Sequence, residues 1–392
     1  MGIKRAVVVV GAVAALVAGP APGVQASPGS PVRDALEQVV AAGVPGSYAA
    51  VVDGGATWRG SAGVGDLRTG RAPDPRGRVR VASVTKTFVA VVVLQLVGEG
   101  RLGLDDPIAD HLPGLLPYAE PITVRQLLGH TSGVPRDIAH WQTLEEVDTK
   151  RWEGFEPAEL VRRATDGVPL LFPPGTGFSY SNTGYTVLGL LVERVTGRSL
   201  AGELERRVFR PLHLRDTSFP SHQPFLPRPA ARGYERLYGE QAPLTDVTTY
   251  VWSRLWASGN VISSPDDLNR FFRALLGGRL LPAEQLARMK EFREGALGPI
   301  GYGLGLMHLP SPCGGPDLWG HGGDLPGYNT WSLHTTDLSG QVSAGMNQDI
   351  TAPVAAHQHV LLTVVPAALC GEAPAAVAST GTEIPYLGPT LP

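Results

Sequence analysis

A serine and a lysine three residues apart, Ser83 and Lys86, stand at the head of an apolar run that begins at Phe88. On a helix that spacing is just under one turn, so the two side chains share a face. A serine hydroxyl is a poor nucleophile until a base takes its proton. A lysine becomes such a base only when desolvation or a neighbouring positive charge lowers its pKa. Val89 to Val97 reads as apolar on every side, the mark of a buried helix, and Gly98 and Gly100 close it. Burial would supply the desolvation, and the helix N-terminus would aim main-chain N–H groups at a forming oxyanion. Lysine is rare in this chain, four of 33 basic residues, and Lys86 completes its only Ser-x-x-Lys. The pattern also fits an ordinary helix start, with Ser83 as a cap and Lys86 exposed.

Two more groups have chemical content. In Phe178-Ser179-Tyr180-Ser181-Asn182, after the Pro173-Pro174-Gly175 loop, Tyr180 and Asn182 point to one side of an extended chain. Tyrosine can act as acid or base, and asparagine can orient a carbonyl or a lysine. The alternative is a packed Tyr180 and a helix cap by Asn182. In Trp319-Gly320-His321-Gly322-Gly323-Asp324, glycines let a ligand or another backbone approach a strand closely. His321 would project from the strand edge, unless this is a tight turn with a surface histidine.

The elements that must position these groups follow from periodicity. Val32 to Ala42 predicts a short helix. Ser47 to Val52, the turn Asp53-Gly54-Gly55 and Thr57 to Val64 predict a hairpin. Residues 101–250 read as helical pieces and loops: Pro121 to Leu128, Glu156 to Ala164, Thr183 to Thr196 and Leu200 to Phe209. Strand signals return at Gly301 to Met307, Asp317 to His321, Asn329 to His334 and Gln341 to Met346. Val354 to Val365 predicts a helix ending near Pro366, and 251–300 is left without an element. The expected architecture is α+β: an antiparallel sheet from both chain ends, flanked by N- and C-terminal helices, with a mostly helical insertion. The boundaries are about 27–100 and 255–372 for the α/β part and about 101–254 for the insertion. A cleft between the two parts is the expected site.

Length and composition narrow the classes. A chain of 392 residues, 43% hydrophobic and 18% charged, can bury a large core. A net charge of −3 gives no overall field for nucleic acid or an anionic membrane. Lys4-Arg5, the apolar run Ala6 to Ala18 and Val24-Gln25-Ala26 predict a secretory signal peptide, residues 1–26. No stable membrane span is expected after its cleavage, although a tethering helix is the alternative. In an oxidising compartment the two cysteines, Cys313 and Cys370, suggest one disulfide, with two buried thiols as the alternative. No metal site or cofactor is expected: neither cysteine stands in a CxxC, and His357 and His359 on one helix do not face one another. Trp252 and Trp256 fit either the cleft or the core. A tail, residues 373–392, carries little charge.

The three motifs, in this order and widely separated, resemble the serine β-lactamase and penicillin-recognising D-Ala-D-Ala peptidase family. Its signature is Ser-x-x-Lys, Tyr-x-Asn and His/Lys-x-Gly. Leu127-Leu128-Gly129-His130-Thr131-Ser132-Gly133, Gly259 to Ser264 and Gly301 to Leu306 look familial as well. The histidine version of the third motif and the cysteine pair are most similar to secreted actinomycete carboxypeptidases. The resemblance implies that Ser83 is acylated, that Lys86 takes or relays its proton, and that Tyr180 is the partner acid and base. Asn182 would bind the substrate amide. His321 would hold the electrostatic position beside Tyr180, with Gly323 completing the motif. The N–H groups of Ser83 and Asp324 would form the oxyanion hole.

Two departures touch substrate choice. Gly322 stands where those carboxypeptidases have threonine, and Met307, followed by His308, stands where they have a carboxylate-binding arginine. Both changes remove contacts to a carboxylate. The leading expectation is a secreted, monomeric D-Ala-D-Ala carboxypeptidase acting on small peptides, with β-lactams as inhibitors or substrates. The alternatives are an esterase, a D-aminopeptidase, a weak β-lactamase, or a binding sensor that acylates once.

Overall fold

The computed structural model describes residues 29–137, 141–220 and 223–371. The expected signal peptide (1–26) and the tail (373–392) lie outside the described residues. Helix α1 (Gly29–Ala41) leads into strands β1 (Gly46–Asp53) and β2 (Ala56–Gly63). Near the other end come β3 (Arg293–Leu297), β4 (Ile300–Tyr302), β5 (Met307–Leu309), β6 (Leu318–Leu325), β7 (Tyr328–Thr335) and β8 (Gly340–Met346). Together they form one eight-stranded antiparallel sheet in the order β2-β1-β8-β7-β6-β5-β4-β3. The chain ends therefore meet at the β1–β8 pairing, where Ser47 lies opposite Met346.

One face of the sheet is covered by α1 and the C-terminal helix, with Val32, Leu36, Trp331, Leu333, Val360 and Val364 in the intervening core. The other face carries the helical part, built around α2 (Thr85–Gly98). Valine is a mediocre helix former, yet Val89, Val91, Val92 and Val93 all lie in α2 and all are buried. Tertiary burial overrides propensity here, and a helix with no polar face can only sit at the centre. Helix α3 (Asn182–Thr196) packs beside it, started by Ser181, whose hydroxyl accepts from the Gly184 N–H, and ended by Gly197 at φ 69°. No helix among the described residues is long and apolar enough to cross a membrane.

Several expected elements differ. The strand expected at Asp317 to His321 runs on to Leu325, because Gly320 and Gly323 admit neighbours that side chains would exclude. A Cβ at 320 would meet the Ser332 carbonyl at 1.8 Å, and one at 323 the Val81 carbonyl at 2.3 Å. The expected strand Gly301 to Met307 is two strands, β4 and β5, separated by a turn in which Gly305 has φ 78°. The expected final helix does not stop at Pro366. It continues to Cys370 through a π-helical turn at Val360–Val364, with the proline in the first turn of the next segment, where its missing N–H costs nothing. Helix α4 (Pro265–Leu276) and a further helix at Ala283–Lys290 occupy the stretch left unassigned. Trp252 and Trp256 are both buried in apolar clusters. Cys313 and Cys370 are joined, which excludes free thiols. A loop of 57 residues closed in this way is stabilised by roughly 4 kcal/mol on a chain-entropy basis.

Candidate active site

Ser83 lies in a 3-10 turn, Ala82–Val84, that runs directly into α2. Ala82 takes φ 49°, a left-handed conformation that costs about 1–3 kcal/mol for a residue with a Cβ. Strand β6 holds the turn in place. Gly323 packs so closely that a Cβ there would lie 2.9 Å from the Ser83 nitrogen. The main-chain N–H of Ser83 therefore sits one residue from that of Asp324, the pair expected to form the oxyanion hole. Beyond Gly320, the β5 side of β6 has no strand partner among the described residues, so an extended substrate can lie along that edge.

Neither the turn nor the start of α2 has a side-chain cap, and Lys86 is fully buried. The capping alternative is thereby excluded. The Lys86 amine lies 3.0 Å from Ser83 Oγ, 2.7 Å from Asn182 Oδ1 and 2.9 Å from the Ser258 carbonyl. Burial, helped by the Arg136 charge, lowers its pKa well below the ordinary lysine value, with Asp137 and Asp324 opposing. A neutral amine has two N–H groups, which the two carbonyl oxygens accept. Its lone pair is then left for the Ser83 hydroxyl, the arrangement a general base requires.

Asn182 differs in part from expectation. It opens α3 while Ser181 supplies the cap. Its Oδ1 holds Lys86 and its Nδ2 donates to Asp137 Oδ2 at 2.8 Å, so here it orients the base rather than presenting a free amide to substrate. Tyr180 is buried with its ring 4.7 Å from the Lys86 nitrogen. Desolvation raises its pKa, and the Ser83 side chain and Arg136 only partly offset this. At neutral pH Tyr180 is a phenol, a proton donor.

His321 is fully buried, not a surface residue. Its Nδ1–H donates to the Gly322 carbonyl at 2.6 Å, so Nε2 is bare and accepts from the Tyr302 hydroxyl at 3.0 Å. Burial above all lowers its pKa, to about 3. The position beside Tyr180 is therefore a neutral imidazole, linked to the rest of the site through Tyr302. Tyr302→Phe will strip this buried acceptor of its donor, costing about 1–3 kcal/mol of stability. A loss of about 1.4 kcal/mol at the transition state would appear as about a tenfold fall in kcat/KM. Chemical denaturation and steady-state kinetics read the two effects, and wild-type behaviour in both would show that the bond contributes nothing.

Sequence reasoning missed Tyr302, Asp137, Ser258 and His130 as parts of the site. His130, at φ 57°, accepts the Ser181 N–H on Nδ1 at 3.1 Å and the Ser179 N–H on its carbonyl, and its ring lies 4.3 Å from that of Tyr180. It anchors the segment that carries Tyr180. The only signal for it and for Tyr302 was their place in the two familial stretches around them. Gly322 has a steric cause: a Cβ there would lie 2.8 Å from the Trp331 ring. Met307 is fully buried in the apolar core, and His308 is engaged by Asp317 at 3.0 Å.

This fold, with a buried lysine set on a serine at a helix start, defines a serine hydrolase of the β-lactamase and penicillin-binding-protein architecture. A family model described as Beta-lactamase matches residues 32–357, and the chain belongs to that family. Among solved structures, a D-stereospecific amidohydrolase from Streptomyces sp. superposes with a TM-score of 0.77 at 37% identity, over 88% of this chain and 99% of that one. A D-amino acid amidase from Ochrobactrum anthropi SV3 gives 0.76 at 27% identity, over 87% and 98%. Esterase EstB of Burkholderia gladioli is 37% identical over 181 residues, 43% of this chain and 45% of that protein. Protein flp of Staphylococcus aureus (strain COL) is 31% identical over 235 residues, 59% of this chain. The chain spans about 45% of the length of these curated relatives.

Proposed function

We infer that the protein hydrolyses amide or ester bonds of small D-amino-acid substrates, through an acyl-enzyme on Ser83 with Lys86 as base and Tyr180 as proton donor. The observation that carries this reading is the chain Ser83–Lys86–Asn182–Asp137. It couples the nucleophile and its base to an acid that can attract the α-ammonium of an amino-acid amide. Met307, buried where a carboxylate-binding arginine was expected, and Asp324, an acid beside the expected oxyanion pair, weigh against a substrate with a terminal carboxylate. Similarity to the amidohydrolase and the amidase supports the same choice and the D configuration. Export belongs to the same reading, supported by the disulfide.

One observation favours the D-Ala-D-Ala carboxypeptidase: the Arg136 guanidinium lies 5.4 Å from the Tyr180 ring centre and so brings positive charge close to the proton donor. Turnover of D-phenylalanine amide, of a D-Ala-D-Ala peptide and of that peptide's C-terminal amide separates the two. The amidase reading expects the amides to exceed the free acid by at least about tenfold, about 1.4 kcal/mol. Preference for the free acid that collapses in Arg136→Ala would establish the carboxypeptidase instead.

A further inference from the structure

A second concavity lies away from the hydrolytic residues. It is an open groove of about 920 Å³ where β1, β2 and β8 meet α4. Three of its residues form one row across the sheet: Gln341 of β8 stands opposite Val52 of β1, and Val52 opposite Thr57 of β2. The rest of the lining comes mainly from α4 and the loop 211–216. None of Ser83, Lys86, Tyr180, Asn182 and His321 lines it. On the sheet, four strand spacings, about 19 Å, separate β2 from β6, which carries His321.

The groove is positively charged in a chain whose net charge is −3. Arg59, Arg215, Arg270, Arg273 and Arg279 line it, against three aspartates, and every one of those aspartates is engaged. Asp266 accepts Arg59 on both oxygens at 2.8 Å. Asp267 accepts Arg270 at 2.8 Å, together with the Asp216 N–H and the Thr217 hydroxyl. Asp216 is shared by Arg78 and Arg228, which are not part of the lining. Arg215, Arg273 and Arg279 therefore have no carboxylate partner among the described ion pairs. One exposed arginine without a partner is ordinary. Three that line one concavity from separately fixed positions are not.

Each of the three has its own support. Arg273 donates Nε to Gln341 Oε1 at 2.8 Å, which leaves the terminal nitrogens of its guanidinium for a ligand. Gln341 is buried, and its Nε2 donates to the Asn269 carbonyl and to His334 Nδ1, each at 3.0 Å. Arg279 completes a Schellman motif at the end of α4. Its N–H reaches the Ala274 carbonyl, the Gly278 N–H reaches that of Leu275, and Gly278 takes φ 73°. Arg215 lies between two clamps: the His213 carbonyl accepts from Arg270, and the Asp216 N–H donates to Asp267. Guanidinium groups on such supports lose less freedom when they bind an anion.

We propose that this groove is a second ligand site, for a short linear oligoanion whose phosphate or carboxylate groups pair with Arg215, Arg273 and Arg279. The planar guanidinium fork matches either group. The volume is far more than one phosphate fills and lies within the range of small-molecule sites, about 300–1,000 Å³. Three cations spread over one groove suit several anionic groups on one molecule. Because no residue is shared with the hydrolytic site, such a ligand would anchor the enzyme and leave the scissile bond to Ser83.

The test is binding, independent of turnover. Tripolyphosphate and hexaglutamate are titrated into the full-length protein by calorimetry at low salt, with acetate as the single-charge control. At least one of the two should bind saturably, one per chain, and more weakly as salt rises. The tighter of the two identifies phosphate or carboxylate as the preferred group. Arg273→Gln/Arg279→Gln should weaken binding at least about tenfold, the scale of one hydrogen bond to a charged group. Arg33→Gln/Arg162→Gln removes the same two charges from exposed positions elsewhere and should bind as wild type does, as should Ser83→Ala. Thermal melts check that all four proteins are equally folded. Absence of saturable binding by both probes, undiminished binding by the groove variant, or an equal loss in Arg33→Gln/Arg162→Gln overturns the site.

Discussion

Ser83→Ala will abolish the covalent adduct and lower turnover of an activated D-amino-acid ester by roughly 10⁴- to 10⁶-fold, the range seen when a hydrolase loses a member of its nucleophilic unit. Ser83 is held in a strained turn with its nitrogen against Gly323 and its hydroxyl 3.0 Å from a buried amine. No other serine among the described residues accepts or donates at Lys86 Nζ through its hydroxyl; Ser258 meets it only through its carbonyl. Intact-mass measurement after exposure to a penicillin or an activated ester should show one adduct on wild type and none on the variant. Lack of any adduct on wild type with either reagent would sink the acyl-enzyme reading. Comparing the single-turnover burst with the steady state then separates an enzyme from a sensor, because a sensor yields the burst alone.

The parts of this architecture that were legible in the sequence are those fixed by local pattern. The β1–β2 hairpin announces itself by alternation about Asp53-Gly54-Gly55. Helix α2 announces itself by having no polar face, and that fact alone implied that Lys86 would be desolvated. The start of α4 was legible in principle, since Ser264-Pro265-Asp266-Asp267 places a cap, a first-turn proline and two acids in order. What local pattern does not report is convergence. Tyr302 reaches His321 across 19 residues and Asn182 reaches Asp137 across 45, in each case because separate strands or loops are packed together. Gly322 read as a lost contact, whereas its cause is the Trp331 ring on the neighbouring strand. The net charge of −3 likewise gave no hint that buried acids gather at Asp324 and Asp349, because a sum carries no position.

Lys86 should set the acid limb of the activity profile and leave a matching signature in stability. With the amine neutral in the folded protein, kcat/KM for the amide substrate will be flat at neutral pH and fall as pH drops through the lowered lysine pKa. Lys86→Met will lose about 10²- to 10⁴-fold, the usual contribution of a positioned base, and will lose that acid limb. The stability effect has a definite sign. Burial lowers the folded-state pKa well below the ordinary value, whereas the unfolded chain takes up the proton near 10.4. Between those two values the unfolded state binds more protons, so unfolding free energy rises with pH. The contribution is complete above the unfolded value and is lost as pH falls toward the folded one. Denaturant melts of wild type and Lys86→Met across that window should therefore diverge, with wild type gaining on the variant as pH rises. Parallel curves would mean that Lys86 keeps its proton in the folded state. The lone pair assigned to Ser83 would then not exist, and the base would have to be sought in an ionised Tyr180, against the desolvation that holds it as a phenol.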